Sequence, residues 1–196
     1  MVSAVPDFRV YSAKSGVPEY DAIFTNPQRQ SSALLIPVLN EGERIRAQLI
    51  RIREVCPRAD VYVADGGSND GSLEPGWLKD HGVTGLLVKR GPGKLSAQLR
   101  MGMAHALGLG YRNILTMDGN GKDGADGINR IVEALEAGSG FVQGSRFVPG
   151  GKAVNTPTSR TLGIRLLHAP ITSAAARARL TDTTNGFRGH SRKFLL

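Results

Sequence analysis

Short apolar runs that alternate with helix-like stretches constrain this chain more than any other feature. ALLIPVL at 33–39, VYVA at 61–64, GLLVK at 85–89, NILTM at 113–117 and FVQG at 141–144 each end at or near Gly, Asn or Asp. Helix-like stretches at 43–55, 94–109 and 127–137 fall between them. Runs this short, bounded by turn formers, read as strands, and the longer stretches as helices. Their alternation predicts an α/β fold, a mostly parallel, twisted sheet with helices on both faces. Such sheets bind ligands outside the carboxyl ends of their strands, so polar residues are expected just after the apolar runs. Asn40 and Glu41 follow the first run, Asp65 with GGSNDGS the second, GPGK at 91–94 the third, and Asp118 with GNGKD the fourth. A lone Asp after a strand is more often a helix cap or turn former. Four such loops on one edge point to a binding site.

At 196 residues the chain is long enough for one domain with a sizeable core. Residues 1–30 carry scattered prolines and no sustained period. They are expected to form a leader, weakly structured or packed on a single domain at 31–196. The 25 glycines exceed ordinary usage and suggest loops that approach a ligand closely. The single Cys56 excludes an internal disulfide and a cysteine zinc site. No secretory signal pattern and no run of about 18 apolar residues occurs. The cytoplasm is therefore the default expectation, with any membrane contact peripheral, at the inner face.

The net charge of +8 is unevenly distributed. Residues 1–145 carry 16 Lys and Arg against 16 Asp and Glu, whereas 146–196 carry nine against one, Asp182. A basic block of this kind faces phosphate, in nucleic acid, a lipid head group or a phosphorylated substrate, or forms a solvated surface. Nucleic acid fits least, because aromatic residues make up only 6% of the chain and no stacking motif or recognition helix stands out.

Five motifs occur in the order and near the spacing of a known family: IPVLNEGERI at 36–45, VADGGSNDGS at 63–72, LTMDGNGKD at 115–123, GSRFVPGG at 144–151 and DTTNGFR at 182–188. On these motifs residues 33–196 resemble family 2 glycosyltransferases of the GT-A type. They resemble especially the branch of dolichol-phosphate mannosyltransferases and related polyprenyl-phosphate sugar transferases. The resemblance implies a GT-A fold, a nucleotide-diphospho-sugar donor, and a nucleotide pocket lined by Pro37, Leu39, Asn40 and Glu41. It also implies that Asp65 reads the base or ribose, and a carboxylate fixed at a strand end can accept from a ring N–H or a ribose hydroxyl. The family often has a second Asp where this chain has Gly66, which leaves Asp65 as the reader. GPGK at 91–94 opens a helix whose unpaired N–H groups favour an anion. Gly93 and Lys94 therefore either meet the diphosphate or form a plain turn.

The family's metal motif is Asp, any residue, then Asp, often with Gln two further on. Here the matching positions hold Asp118, Gly119, Asn120 and Lys122, and Gly119 would lie against the donor. Asn offers only a neutral carbonyl oxygen, and an ammonium cannot coordinate. Mg2+ or Mn2+ is thus expected at Asp118 and Asn120, at a weakened site unless Asp123 or Asp126 turns inward. Lys122 either neutralises part of the leaving diphosphate or points to solvent.

GSRFVPGG resembles the family's mobile loop, which closes over donor and acceptor. Arg146, Arg160 and Arg188 would meet an acceptor phosphate there, because a guanidinium fork suits phosphate oxygens. Arg165, Arg177 and Arg179 read as solvated, and His168 as structural beside Pro170. The branch inverts by direct displacement at the anomeric carbon. A hydroxyl acceptor needs a general base, for which the acceptor half supplies only Asp182. A polyprenyl phosphate is already anionic, so sugar transfer to that acceptor is the expected function. The alternatives are a soluble enzyme acting on a glycan or small-molecule hydroxyl with Asp182 as base, and a nucleotide-sugar-binding module without turnover. Family members commonly carry further helices after the GFR motif, so a missing C-terminal extension is also expected.

Overall fold

A computed structural model describes residues 16–55, 57–148, 162–177 and 180–196, apart from the side chains of Arg165 and Ala176. The strands are β1 Tyr20–Thr25, β2 Ser32–Val38, β3 Asp60–Asp65, β4 Val83–Lys89, β5 Asn113–Thr116, β6 Phe141–Gln143 and β7 Arg188–Ser191. They form one seven-stranded sheet in the order β1-β4-β3-β2-β5-β7-β6. The central β4, β3, β2 and β5 are parallel. β1 runs antiparallel to β4, and β7 antiparallel to both β5 and β6. This is the mostly parallel α/β sheet that the alternating runs predict.

The helices are α1 Glu43–Glu54, α2 Pro75–Asp80, α3 Leu95–Gly108, α4 Gly127–Glu136, α5 Ala169–Ala176 and α6 Arg192–Leu195; a π-helical turn, Ile164–His168, leads into α5. Every residue of β2 is buried, so its two-residue pleat feeds two cores and its sequence reads as a continuous apolar run. Leu34, Ile36 and Val38 join Ile45, Leu49 and Ile52 of α1 and Ile128, Ile131, Val132 and Leu135 of α4. Ala33 and Leu35 point the other way, to Met101, Ala106 and Leu107 of α3. The α1 and α4 sets recur at spacings of three and four, which lines one face of a helix. α2 starts at Pro75, with the Glu74 carboxylate accepting from the N–H groups of Gly76 and Trp77.

β1 falls within the stretch expected to be a leader, and it pairs Tyr20 with Lys89 and Thr25 with Gly85. Residues 1–15 lie outside the described residues. Because the four central strands run one way, the loops after β2, β3, β4 and β5 leave by the same edge. β7 starts at that edge with Arg188 opposite both Thr116 of β5 and Gln143 of β6. The fold thus adds the 144–147 and 182–187 segments to the four loops.

Candidate functional site

The loops after β2 and β3 are laced together. Asn40, at φ 53°, accepts through Oδ1 from Asn69 N–H at 2.9 Å, and its own N–H donates to Ser68 Oγ at 3.0 Å. Asp70 Oδ2 accepts from Gly42 N–H at 2.8 Å, while Oδ1 takes the Ser72 hydroxyl and N–H. The Ser72 bonds, ahead of the others, hold the Asp70 carboxyl below its ordinary range. Buried Asp65 accepts from Gly67 N–H, Ser68 N–H and Ser68 Oγ, all on Oδ1. Its Oδ2 has no bond among the described residues, so one carboxylate both shapes the loop and keeps an oxygen for a ligand. Behind it, the buried Gln98 amide donates to Val38 O and Ala64 O at 2.7 and 2.8 Å. A Cβ on Gly66 would stand 3.0 Å from that amide, so Gln98 occupies the space beside the position where the family often has Asp.

Pro37 is buried within β2, whereas Leu39 and Asn40 are exposed and Glu41 is half-buried in a 3.5 Å ion pair with Arg44. On the next loop, Gly93 has φ 101°, a region that glycine tolerates. Exposed Lys94 precedes the first turn of α3, whose end carries no side-chain cap.

The loop after β5 is fixed from α1. Gln48 donates from Nε2 to Asp118 O and accepts on Oε1 from Gly121 N–H, both at 2.9 Å. Gly119 sits so close to β2 that a Cβ would lie 2.8 Å from Pro37 O. Asn120 turns its side-chain oxygen to Lys122 N–H at 3.1 Å, and Lys122 is exposed. Asp126 is exposed ahead of α4. Asp123 turns inward beside Asp118. Burial first, then the Asp118 charge, pushes its carboxyl up to about 6, against hydrogen bonds from Asp118 N–H and the Asn185 side chain. Two carboxylates therefore share this loop at a spacing of five residues instead of two.

In the last quarter of the chain, Asp182 is fully buried. Arg146 grips it with Nε on Oδ2 at 2.7 Å and Nη2 on Oδ1 at 2.9 Å. Arg146 N–H and the Thr184 N–H and hydroxyl add three more donors. Burial raises the Asp182 carboxyl, but the Arg146 bonds outweigh it and hold the group below its usual range. A carboxylate saturated in this way is a poor proton acceptor, so the geometry ties Asp182 and Arg146 to each other. Arg188 donates from Nε to Asn185 O at 3.0 Å and from Nη2 to Thr183 O at 3.2 Å. Carbonyls do not neutralise it, so it keeps its charge at the edge. Gln143 and Thr116 brace the same turn through Asn185 O and Gly186 O. His168 bonds Thr183 Oγ1 at 2.6 Å, a structural contact. Arg160 lies outside the described residues.

Of the two acids that the sequence offers as possible inward-turning neighbours of Asp118, Asp123 turns in and Asp126 stays exposed; its spacing from Asp118 matches no metal pattern, and only the fold of the loop brings it in. A cleft of about 250 Å³ opens at the other end of the sheet, near Asp60 and Val83, and is lined by Arg29, Arg53 and Lys79. None of the five motifs reaches it.

A family model described as glycosyl transferase family 2 matches residues 33–195. Polyprenol monophosphomannose synthase of Mycolicibacterium smegmatis is 27% identical over 169 residues, which cover 85% of this chain and 63% of that protein. Undecaprenyl-phosphate mannosyltransferase of Micrococcus luteus is 32% identical over 160 residues, covering 80% and 64%. The chain thus spans less than two thirds of these relatives. Among solved structures, glucosyl-3-phosphoglycerate synthase from Mycobacterium tuberculosis in complex with phosphoglyceric acid superposes with a TM-score of 0.56 at 18% identity, covering 84% of this chain and 57% of that one. Its complex with Mn2+, UDP and glucosyl-3-phosphoglycerate gives 0.53 at 16% identity, covering 89% and 65%. At such identities the likeness shows a shared fold, that of GT-A nucleotide-sugar transferases.

Proposed function

The chain belongs to glycosyl transferase family 2, and from that premise we propose that it moves a sugar from a nucleotide diphosphate donor to a polyprenyl phosphate, with inversion. The state of Asp182 carries this reading. The only carboxylate of the last quarter is locked by Arg146 and cannot deprotonate a hydroxyl, whereas a phosphate acceptor needs no base. The names of the two mannosyl-transferring relatives support the same acceptor class.

In the reaction, an oxygen of the lipid phosphate attacks the anomeric carbon. The bond from that carbon to the donor's β-phosphate oxygen breaks, and the nucleoside diphosphate leaves with the bonding electrons. Pro37 to Glu41 line the nucleotide, with exposed Leu39 offering apolar surface and Asp65 Oδ2 accepting a ribose hydroxyl or a base N–H. Gly93, Lys94 and the amino end of α3 attract the diphosphate. Gly119 lets the β5 loop come close to the donor, and Lys122 stands on that loop as a further cation. Arg188 meets the acceptor phosphate, since Arg146 is already neutralised by Asp182; Arg160 belongs to the same basic segment.

Two oxygen-only carboxylates side by side suit a hard divalent cation. Asp118 and Asp123 would hold Mg2+ or Mn2+, with Asn120 as a neutral neighbour. When bound, the ion would supply charge neutralisation at the diphosphate. Catalysis at the inner membrane face, with the basic quarter toward anionic lipid, follows from the acceptor.

One observation favours a hydroxyl acceptor instead: Asp123, raised to about 6, could take a proton near neutral pH. A panel of UDP-, GDP- and dTDP-sugars, with and without polyprenyl phosphate, soluble sugars and Mn2+, separates the cases by nucleoside diphosphate release. Release that requires the lipid phosphate is expected. Release only with soluble sugars would favour the hydroxyl reading, and donor binding without release under any condition a non-catalytic module.

A further inference from the structure

The helical segment ahead of the DTTNGFR loop is amphipathic in the wrong sense for water. Leu162, Leu166, Leu167 and Ile171 are 55, 70, 65 and 60% exposed, and Pro170, Ala174 and Ala175 are exposed beside them. The polar Thr172 and Ser173 instead bond the main chain. Thr172 Oγ1 donates to His168 O at 2.6 Å, and Ser173 Oγ exchanges bonds of 3.1 and 2.9 Å with Leu180 O and N–H. Ile164 and Ala169 form the buried side. Scattered exposed leucines are ordinary on a soluble surface, but four large aliphatic side chains on two turns and a half of helix form a contiguous patch.

We propose that this stripe docks into the head-group and acyl boundary of an anionic bilayer, beside the acceptor end of the site. Charge selects that occupant. Residues 146–196 carry nine basic groups and one acid, and the acid is buried under Arg146. In sequence the stripe is flanked by Arg160, Arg165, Arg177 and Arg179 with no acid from 146 to 181, and that charge complements anionic phospholipid and opposes a second copy of the same face. Position agrees: His168, on this segment, bonds Thr183 in the loop whose carbonyls hold Arg188. A stripe lying at the membrane boundary would set Arg188 near the depth of a lipid phosphate. The choice of acceptor rests on the proposed function; the docking is read without donor or acceptor and can fail separately.

The test is flotation of the full chain with vesicles of phosphatidylglycerol and phosphatidylcholine. The protein is expected to float, and Leu166→Glu with Leu167→Glu to weaken binding by at least about tenfold, with an unchanged circular dichroism spectrum. The same double variant should still turn over a short-chain polyprenyl phosphate in detergent. As an independent readout, Leu166→Trp should show an indole emission that shifts to the blue on adding vesicles and is quenched by brominated acyl chains. Protein that stays unbound, a double variant that floats equally well, or an indole that ignores the vesicles would overturn the docking. So would a dimer in sedimentation that the double variant dissolves, which would assign the stripe to a second copy. Flotation without transfer to any lipid phosphate would instead sink the acceptor reading and leave the docking standing.

Discussion

Replacing Asp182 by Ala leaves the Arg146 guanidinium without its partner and frees the Thr184 N–H and hydroxyl. Removing one member of a buried pair costs about 3 to 5 kcal/mol. Arg146 keeps 21% of its side-chain surface in water, so the lower end, about 3 kcal/mol, applies. In a chain of this size that lowers the melting temperature by about 6–12 °C. Arg146→Ala should cost a similar amount, and the double variant less than the sum, because no orphan charge remains. Scanning calorimetry of the three variants gives the coupling, and nucleoside diphosphate release well below the transition gives the chemistry. Asp182→Asn, which keeps the shape, should lose stability yet retain turnover within about tenfold of the parent, since a base would account for about 100-fold or more. An Asp182→Asn protein that melts like the parent and has lost its turnover would show that the carboxylate is the base, and the acceptor argument would fall with it. The sign with pH is fixed. A depressed carboxylate stabilises the fold above its ordinary value, about 3.9, and that contribution disappears as pH falls through the lower folded value.

Mn2+ titration followed by electron paramagnetic resonance should show Asp123→Ala weakening the ion by at least about tenfold, with Asn120→Ala changing it little. The reverse order would return the second ligand to the family's usual position. Gly119→Ala should cost about 1–3 kcal/mol in urea denaturation, because the new methyl meets Pro37 O at 2.8 Å and Val38 Cγ2 at 3.1 Å; a neutral result would mean that β5 and β2 can part. His105 is almost fully buried, and burial drives its imidazole down to about 4 from 6.5. The unfolded chain takes up that proton first, so about 3 kcal/mol should be lost as pH falls from about 6.5 to 4. His105→Phe should flatten that slope in urea midpoints, and an unchanged slope would refute the assignment.

The central strands were legible because burial on both faces writes itself as an unbroken apolar run, as in β2. β1 was not, because an edge strand with none of its six residues buried leaves no such run in YDAIFT. β7 reads RGHS and owes its place to the sheet's geometry. Gly189 passes so close to Ile131 and Leu135 of α4 that a side chain would collide with them. The loops were legible as a group, since strand direction sends them to one edge. Their roles were not, because the bonds that decide them join distant residues. Arg146 meets Asp182 across 36 positions and Gln48 meets Asp118 across 70, and no local signal announces either pairing.

Those pairings sort the acids of the site into two kinds. Asp70 and Asp182 have both oxygens engaged by loop donors or an arginine, and Asp65 has one. Their hydrogen-bonding capacity is used mainly to hold backbone in place. Asp118 and Asp123 remain together, and their mutual repulsion is what a divalent cation relieves. At the other side of the site, tying Arg146 to Asp182 removes one positive and one negative charge, leaving eight basic residues and no acid in the last quarter. On the proposed reading the negative pair lies on the side of the leaving diphosphate and Arg188, held only by carbonyls, on the side of the incoming nucleophile, while Arg192 and Lys193 follow β7 at the opposite edge of the sheet. A hydroxyl nucleophile would gain little from that separation, whereas a phosphate is both drawn in and held by it.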